Sequence, residues 1–137
     1  MLTSRDADQL TEGAFAKAEE LGLSVSVAVV DAAGHIKSIV RMDGAGWFSP
    51  EIALGKARAA AAFRADTEDV LDRLREKEVF ANSLAPLSGG KVVLGEGGCI
   101  IRTEDAVIGA IGVSGARSEQ DAVCARAGIA KHLATPR

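Results

Sequence analysis

The chain has 137 residues, of which 47% are hydrophobic and 4% aromatic, and its formal net charge is −3. This length suits one domain over residues 1–137, and the hydrophobic content excludes a disordered chain. The negative charge, the absence of a basic stripe and the scarcity of aromatic side chains argue against nucleic acid as a partner, because nucleic-acid binding relies on basic and stacking groups.

The sequence also bears on the cellular compartment. Residues 1–6 lack the cationic and apolar pattern of a signal peptide, and no apolar run reaches the length of a membrane span. Cys99 and Cys124 lack a Cys-x-x-Cys spacing, which favours free thiols. We therefore expect a cytoplasmic protein without a membrane partner.

The first third of the chain is predicted to form a helix and a hairpin. Apolar residues recur at helical spacing over residues 3–21. Residues 23–30 alternate in the manner of a strand, and Gly34 supplies the positive φ of a tight turn. A second strand then returns over residues 35–42.

A glycine-rich loop over residues 43–46 precedes a second helix. Ser49 is predicted as its N-cap and Pro50 as its first helical residue, and the helix runs to Arg64. This helix is apolar almost all the way round, so we expect it to be buried on several sides, including at a subunit interface. A shorter helix follows.

The last third is predicted to contain three strands and one helix. Residues 79–87 show no clear pattern and are interpreted as a loop. Strands are predicted over residues 91–94, 99–102 and 106–113, and the final helix over residues 118–133. Short connections require antiparallel pairing, so the predicted fold class is α+β, with an antiparallel sheet of about five strands flanked by helices.

Several short motifs occur in an order that is typical of one family. They are Val29-Val30-Asp31-Ala32-Ala33-Gly34-His35, Arg41-Met42-Asp43-Gly44-Ala45, Lys56-Ala57 and Gly109-Ala110-Ile111-Gly112-Val113-Ser114-Gly115. Through these motifs, residues 10–133 resemble the GlcG/HbpS/PduO-C-terminal family. The resemblance implies a profilin-like fold, homo-oligomers built from dimers and, in some relatives, binding of haem or another tetrapyrrole.

One stretch departs from the pattern of the family. Members often have a Gly-Gly-x-Pro stretch before the last strands, and Gly97-Gly98 matches its start. Ile100 stands where the proline would be. If this stretch shapes the ligand pocket, Gly98 belongs to the pocket and the change at Ile100 alters it.

Lys56 is the first candidate for a ligand-binding residue, because it lies on the apolar helix. A buried ammonium group must find an anion, since an unpaired buried charge is costly. One interpretation is a salt bridge to Asp31, Asp43 or Asp121. The other is an anion-binding lysine for a ligand carboxylate, a haem propionate or a phosphate. The sequence leaves both open.

Further candidates lie in the loops. Arg41 and Asp43 stand where a strand enters a glycine-rich loop, and an arginine there either grips a ligand carboxylate or forms a surface ion pair. Ser114, between two glycines, either helps to bind an anion through backbone N–H groups or lies in a tight turn. Asp121 is interpreted chiefly as completing a capping box with Ser118.

Two residues are candidates for an axial haem ligand. Haem iron needs one protein side chain, and His35 or Met42 could supply it. A surface histidine is the alternative for His35, which is predicted at an exposed strand end. The only other histidine is His132, far away in sequence, so the chain lacks the ligand set of a zinc site.

The sequence thus predicts a small-ligand-binding protein with a pocket for an anionic ligand at a subunit interface, and the resemblance implies haem as that ligand. The predicted ligand-binding residues are Arg41, Asp43, Lys56, Gly98, Ser114 and Asp121. The alternative is a cofactor-independent isomerase, lyase or hydratase that acts on a small organic acid, with Arg41 and Lys56 holding the carboxylate. Asp43, Asp121 or His35 would then move a proton. A third hypothesis is an assembly subunit without a ligand.

Overall fold

The computed structural model describes residues 1–136, and Arg137 lies outside the described residues. The helices are Ser4–Glu20 (α1), Ser49–Phe63 (α2), Thr67–Arg73 (α3), Glu78–Leu87 (α4) and Ser118–Ala134 (α5). The strands are Ser26–Asp31 (β1), Ile36–Arg41 (β2), Gly98–Arg102 (β3) and Val107–Ser114 (β4). They form an antiparallel sheet in the order β2-β1-β4-β3. The predicted α+β class, with an antiparallel sheet and flanking helices, is confirmed.

The predicted number of strands is wrong, because the sheet has four strands and not five. The extra strand was expected over residues 91–94, which are irregular in the structure. Val93 explains this difference. Its backbone N–H donates to Gly55 O of α2 at 3.2 Å, and its side chain fills the space that a Cβ on Gly55 would need. The segment is therefore fixed by a helix and not by a neighbouring strand.

The interpretation of residues 79–87 as a loop is also wrong, because they belong to α4. Phe80, Leu84 and Leu87 do have the i, i+4, i+7 spacing of a helix face. The helix ends one residue after Pro86, and none of its residues is buried. Its apolar face therefore contributes nothing to the core.

The sheet lies between two helical layers. Val25, Val27 and Val29 point from the β1 region to the core formed with α1 and α5, whereas Ala28 and Val30 point to the core formed with α2. This alternation reflects the period of two in a strand, and β1 is buried on both faces. The alternating pattern in the sequence is therefore explained by the alternating directions of the side chains in this strand.

Glycines allow α2 to lie very close to the sheet. A Cβ added to Gly112 of β4 would be 2.0 Å from Ala53 O, and one added to Gly98 of β3 would be 2.4 Å from Lys56 O. Such distances exclude any side chain larger than hydrogen unless the helix moves. Gly98, a predicted ligand-binding residue, is thus a point of contact between α2 and β3.

The start of α2 differs from its prediction by one residue. Phe48 occupies the N-cap position and Ser49 is the first helical residue. The Ser49 hydroxyl lies 2.7 Å from Gly46 O and 2.8 Å from the hydroxyl of Ser26. It therefore joins the helix to β1 instead of capping the helix. Within residues 1–136, the structure contains no helix that is long and apolar enough to traverse a membrane.

Candidate ligand-binding site

Lys56 and Asp121 form a buried ion pair at the end of β4. The Lys56 Nζ donates to Asp121 Oδ2 and to Val113 O, both at 3.0 Å, and the backbone N–H of Ala116 donates to Asp121 Oδ1 at 3.0 Å. The two side chains are only 6% and 3% exposed. Of the three acidic partners that the sequence offers to Lys56, Asp121 is the one in contact. The pair connects α2 on one face of the sheet with α5 on the other.

The surroundings of this ion pair are closed. A Cβ added to Gly97 would lie 2.8 Å from Val113 O and 3.2 Å from the Lys56 Nζ. Burial raises the pKa of Asp121, although the charge of Lys56 and its hydrogen bond act in the opposite direction. With its ammonium group held by a carboxylate and a carbonyl, Lys56 is placed to link two layers of the fold.

The predicted capping box between Asp121 and Ser118 is wrong. Both carboxylate oxygens of Asp121 are engaged elsewhere, by Lys56 and by the backbone of Ala116. At the start of α5 the backbone N–H of Arg117 donates instead to Gln120 Oε1 at 3.2 Å. The pattern was misread because several polar residues compete for this helix start, and spacing alone does not choose among them.

Arg41, Asp43 and Ser114 lie near the same end of the sheet. Ser26 of β1 pairs with Arg41 on one side and with Ser114 on the other, which separates those two Cα atoms by about 10 Å. The Arg41 guanidinium donates to Ala45 O at 2.9 Å. Arg41 and Asp43 are exposed, whereas Ser114 is buried. Their ligand-binding roles stay predictions.

The two candidates for an axial ligand, His35 and Met42, lie at opposite ends of β2. Seven residues of extended chain separate them by roughly 20 Å. The Met42 Sδ accepts a hydrogen bond from the backbone N–H of Val25 at 3.4 Å, and its side chain packs against the core on the α1 and α5 side. The two side chains of one chain therefore cannot bind the same iron.

His35 lines an open cleft, which we call the His35 cleft. The cleft has a volume of about 430 Å³ and lies between the β1–β2 turn, α2 and the segment that follows α4. Two cationic side chains, Arg58 and Lys91, share it with small apolar side chains that include Ala33, Ala62 and Val92. It is thus a cationic cleft with apolar walls.

Asp31 lies beside one ring nitrogen of His35. Asp31 Oδ1 accepts the backbone N–H groups of Ala33 and His35 at 3.0 Å, and its Oδ2 lies 3.4 Å from His35 Nδ1. Burial raises the pKa of Asp31, but these hydrogen bonds and the charge of His35 outweigh burial and lower the pKa overall. Within residues 1–136, His35 Nε2 has no hydrogen-bond partner, and the side chain is 80% exposed. A carboxylate behind one ring nitrogen is the usual arrangement of a metal-binding histidine.

Sequence reasoning missed the two cations of this cleft. Arg58 lies two residues after Lys56, so their side chains point about 200° apart around α2. Lys56 therefore points to α5, whereas the Arg58 Nε donates to Gly34 O of the turn at 3.1 Å. The helical periodicity of α2 and the position of the turn glycine could together have placed Arg58 beside His35.

Neither the Cys99 thiol nor a group of metal-binding side chains forms a second reactive centre among the described residues. Burial raises the pKa of Cys99 to about 12, with a further contribution from the charge of Asp66, so the thiol stays protonated at neutral pH. Among residues 1–136, no three or more His, Cys, Asp and Glu side chains are grouped to hold a metal ion.

The order of the elements and the single sheet between helical layers define a class of small α+β domains. The profile of the family described as Haem degrading protein HbpS-like matches residues 2–130, and the chain belongs to this family. The resemblance inferred from the sequence is therefore confirmed.

Three relatives illustrate the similarity. Corrinoid adenosyltransferase PduO of Salmonella typhimurium is 34% identical over 94% of this chain, which spans only 38% of that protein. Protein GlcG of Escherichia coli is 34% identical over 83% of this chain and 81% of GlcG. The crystal structure of a PduOC:Heme complex superposes with a TM-score of 0.84 at 34% identity, covering 93% of this chain and 91% of the other.

Proposed function

We propose that this protein binds haem or a closely related tetrapyrrole in the His35 cleft, with His35 as the axial ligand. The observation that carries the proposal is the exposed imidazole of His35, which lines the cleft and whose Nδ1 lies 3.4 Å from Asp31 Oδ2. The haem complex of the relative PduOC supports the choice of ligand.

The side chains of the cleft fit the parts of a haem. Haem has an iron, a flat apolar ring and two carboxylates. His35 supplies a nitrogen ligand, and the guanidinium of Arg58 and the ammonium of Lys91 supply partners for the carboxylates. Ala33 and Ala62 leave room for a flat ring to approach the backbone. Bound haem would bring a redox-active iron to this cleft.

We also propose that the protein forms homo-oligomers and that a second subunit covers the cleft. Trp47, Phe48, Phe80 and Leu87 expose more than half of their surface, and aromatic residues are enriched at protein interfaces. Leu87 directly precedes Ser88, which lines the His35 cleft. A subunit that covers α4 would therefore also lie beside the ligand. Sedimentation of the protein and of Leu87→Ser tests this: the parent should be oligomeric and Leu87→Ser should be less so, and a monomeric parent would exclude it.

An absorbance titration with haemin tests the haem proposal. The protein should give a saturable one-to-one shift of the Soret band, with a dissociation constant in the micromolar range or tighter. His35→Ala should lose the spectrum of a histidine-ligated iron. Met42→Leu is the matched control and should behave like the parent, because Met42 faces the core. A non-saturable change, or an unchanged spectrum in His35→Ala, would refute the assignment.

The geometry gives the small-acid enzyme less support. That alternative needs Lys56 to hold a substrate carboxylate together with Arg41, but the Lys56 Nζ is already bound by Asp121 and Val113 O. Asp121, one of its proposed bases, is engaged in the same pair. Of the proposed groups, His35, Asp43 and Arg41 remain exposed.

A further inference from the structure

A second cleft lies at the edge of the sheet that β3 forms, and we call it the arginine cleft. It has a volume of about 480 Å³ and lies between the end of α2, α3, β3 and the last turns of α5. The three arginines that give it its name come from three of these elements: Arg64 follows α2, Arg73 lies in α3 and Arg102 ends β3. The cleft shares no lining residue with the His35 cleft.

The guanidinium groups of these arginines are not used by the fold. Among residues 1–136, none of the three is within 4.0 Å of a carboxylate oxygen, whereas the nearby Arg75 and Arg126 are paired with Asp72 and Glu68. Acidic residues outnumber basic ones in this chain, 19 to 16. At this cleft the three guanidinium groups therefore have no salt-bridge partner of their own among these residues.

Two aspartates also line the arginine cleft, and one of them has a structural role. Asp66 Oδ1 accepts a hydrogen bond from the backbone N–H of Ile100 at 2.9 Å. This bond gives a partner to an N–H group on the outer edge of β3, where no strand of the described residues is paired. The neighbouring Thr67 does the same for the N–H of Gly98 at 3.0 Å. Asp69 is the other carboxylate of the cleft, so the three arginines outnumber the two aspartates by one.

The rest of the cleft is apolar. Ile100 and Ile129 are half-buried, and Leu133 exposes 69% of its surface beside the arginines. An inorganic anion would leave these side chains in water. A ligand with a carbon skeleton would cover them, and the volume is in the range of small-molecule sites, about 300–1,000 Å³.

We propose that the arginine cleft binds a small organic molecule, other than a tetrapyrrole, that bears two or more carboxylates on an apolar skeleton. A guanidinium group matches a carboxylate through two parallel hydrogen bonds, and several arginines around one cleft match a ligand with several carboxylates. The isoleucine and leucine side chains then contact the skeleton. This site is separate from the proposed haem site and does not depend on it.

Calorimetric titration with benzene-1,3,5-tricarboxylate at constant ionic strength tests the proposal. The protein should show one saturable isotherm, and the double variant R73Q/R102Q should weaken binding by about tenfold or more, since two charge-assisted hydrogen-bond partners are lost. Arg75→Gln is the matched control, because it removes a neighbouring exposed guanidinium that Asp72 already holds. Its affinity should stay within about twofold of the parent.

Two further titrations identify which part of the ligand is recognised. Leu133→Ser should weaken binding of the tricarboxylate, because the proposal places the benzene ring of the ligand against the apolar wall. Inorganic phosphate, which has no such ring, should bind much less tightly than the tricarboxylate. Absence of a saturable isotherm, equal weakening in Arg75→Gln and R73Q/R102Q, or equal affinity for phosphate would each overturn the proposal. Haemin affinity should be unchanged in R73Q/R102Q, and its loss would contradict two separate sites.

Discussion

Two acid–base pairs of this protein have similar chemistry and opposite surroundings. Lys56 and Asp121 are enclosed between the two helical layers, and each also forms a hydrogen bond with a backbone group. His35 and Asp31 lie at an open turn, where one ring nitrogen of the histidine has no hydrogen-bond partner among the described residues and 80% of its side chain is exposed. The first pair holds elements together, and the second presents a group to solvent.

The difference shows what makes a charged residue available to a ligand. The residue type and its position on an apolar helix made Lys56 a candidate for anion binding. In the structure the Lys56 ammonium group already contacts a carboxylate and a carbonyl, so it gains little from binding a further anion. Arg58, two residues later on the same helix, faces a cleft with free volume. The two regions therefore differ in whether their charged groups still have unused hydrogen-bond donors and whether a ligand can reach them.

The largest effect is expected from Lys56→Met. Its removal leaves the carboxylate of Asp121 buried without its partner, so the free energy of unfolding should fall by about 3–5 kcal/mol. Urea denaturation measures this change. Lys91→Met, which removes an exposed lysine, is the control and should change it by less than about 0.5 kcal/mol. A stable Lys56→Met protein that has lost haemin affinity would instead restore Lys56 as a ligand-binding residue.

A smaller effect is expected from Asp6→Asn, which tests a second enclosed pair. Asp6 Oδ1 lies 3.2 Å from His132 Nε2, and Oδ2 accepts the backbone N–H of Thr3 at 2.8 Å. Burial raises the pKa of Asp6, but the hydrogen bonds from Thr3 and His132 outweigh it and lower the pKa below the ordinary value of 3.8. At neutral pH the substitution should cost about 1–3 kcal/mol, because it removes a charged acceptor.

The pH dependence of this effect follows from the lowered pKa. An acid whose pKa is lower in the folded state stabilises the fold fully above its unfolded pKa, and this contribution is lost as the pH falls through the folded pKa. The stability difference between the parent and Asp6→Asn should therefore shrink between pH 5 and pH 3. Urea denaturation at several pH values measures it, and a difference that grows towards pH 3 would contradict the assignment.

The smallest effect is expected from Lys91→Met in the open region. Stability should not change, but haemin affinity should fall by about two- to fivefold, since an exposed ion pair contributes about 0.2–1 kcal/mol. Lys37→Met is the matched control, because Lys37 is exposed on β2 and does not line the His35 cleft. An absorbance titration compares the variants. Equal affinity in all three proteins would remove Lys91 from the site.

The sequence predicted most of the fold because its signals are local. Alternating small and β-branched residues mark β1, and Gly34 marks the hairpin turn. The apolar periodicity of α1 and the Ser49-Pro50 start of α2 place both helices within two residues of their observed bounds. The two errors have different origins. Residues 91–94 bind to α2 through Val93 and form no strand, because a tertiary contact that the local pattern does not show fixes them. The helical spacing of α4 is a local signal, but it extends over only 10 residues and was interpreted as a loop.

For the candidate site, the sequence by itself determined the family motifs and supplied His35 as a candidate ligand. Only the tertiary structure decided which charged groups are free, because that depends on contacts between residues far apart in the chain. Lys56 meets Asp121 across 65 positions, and Arg58 meets Gly34 across 24. Spacing along the chain specifies the face of a helix on which a side chain lies, but the packing of the layers determines what that face meets.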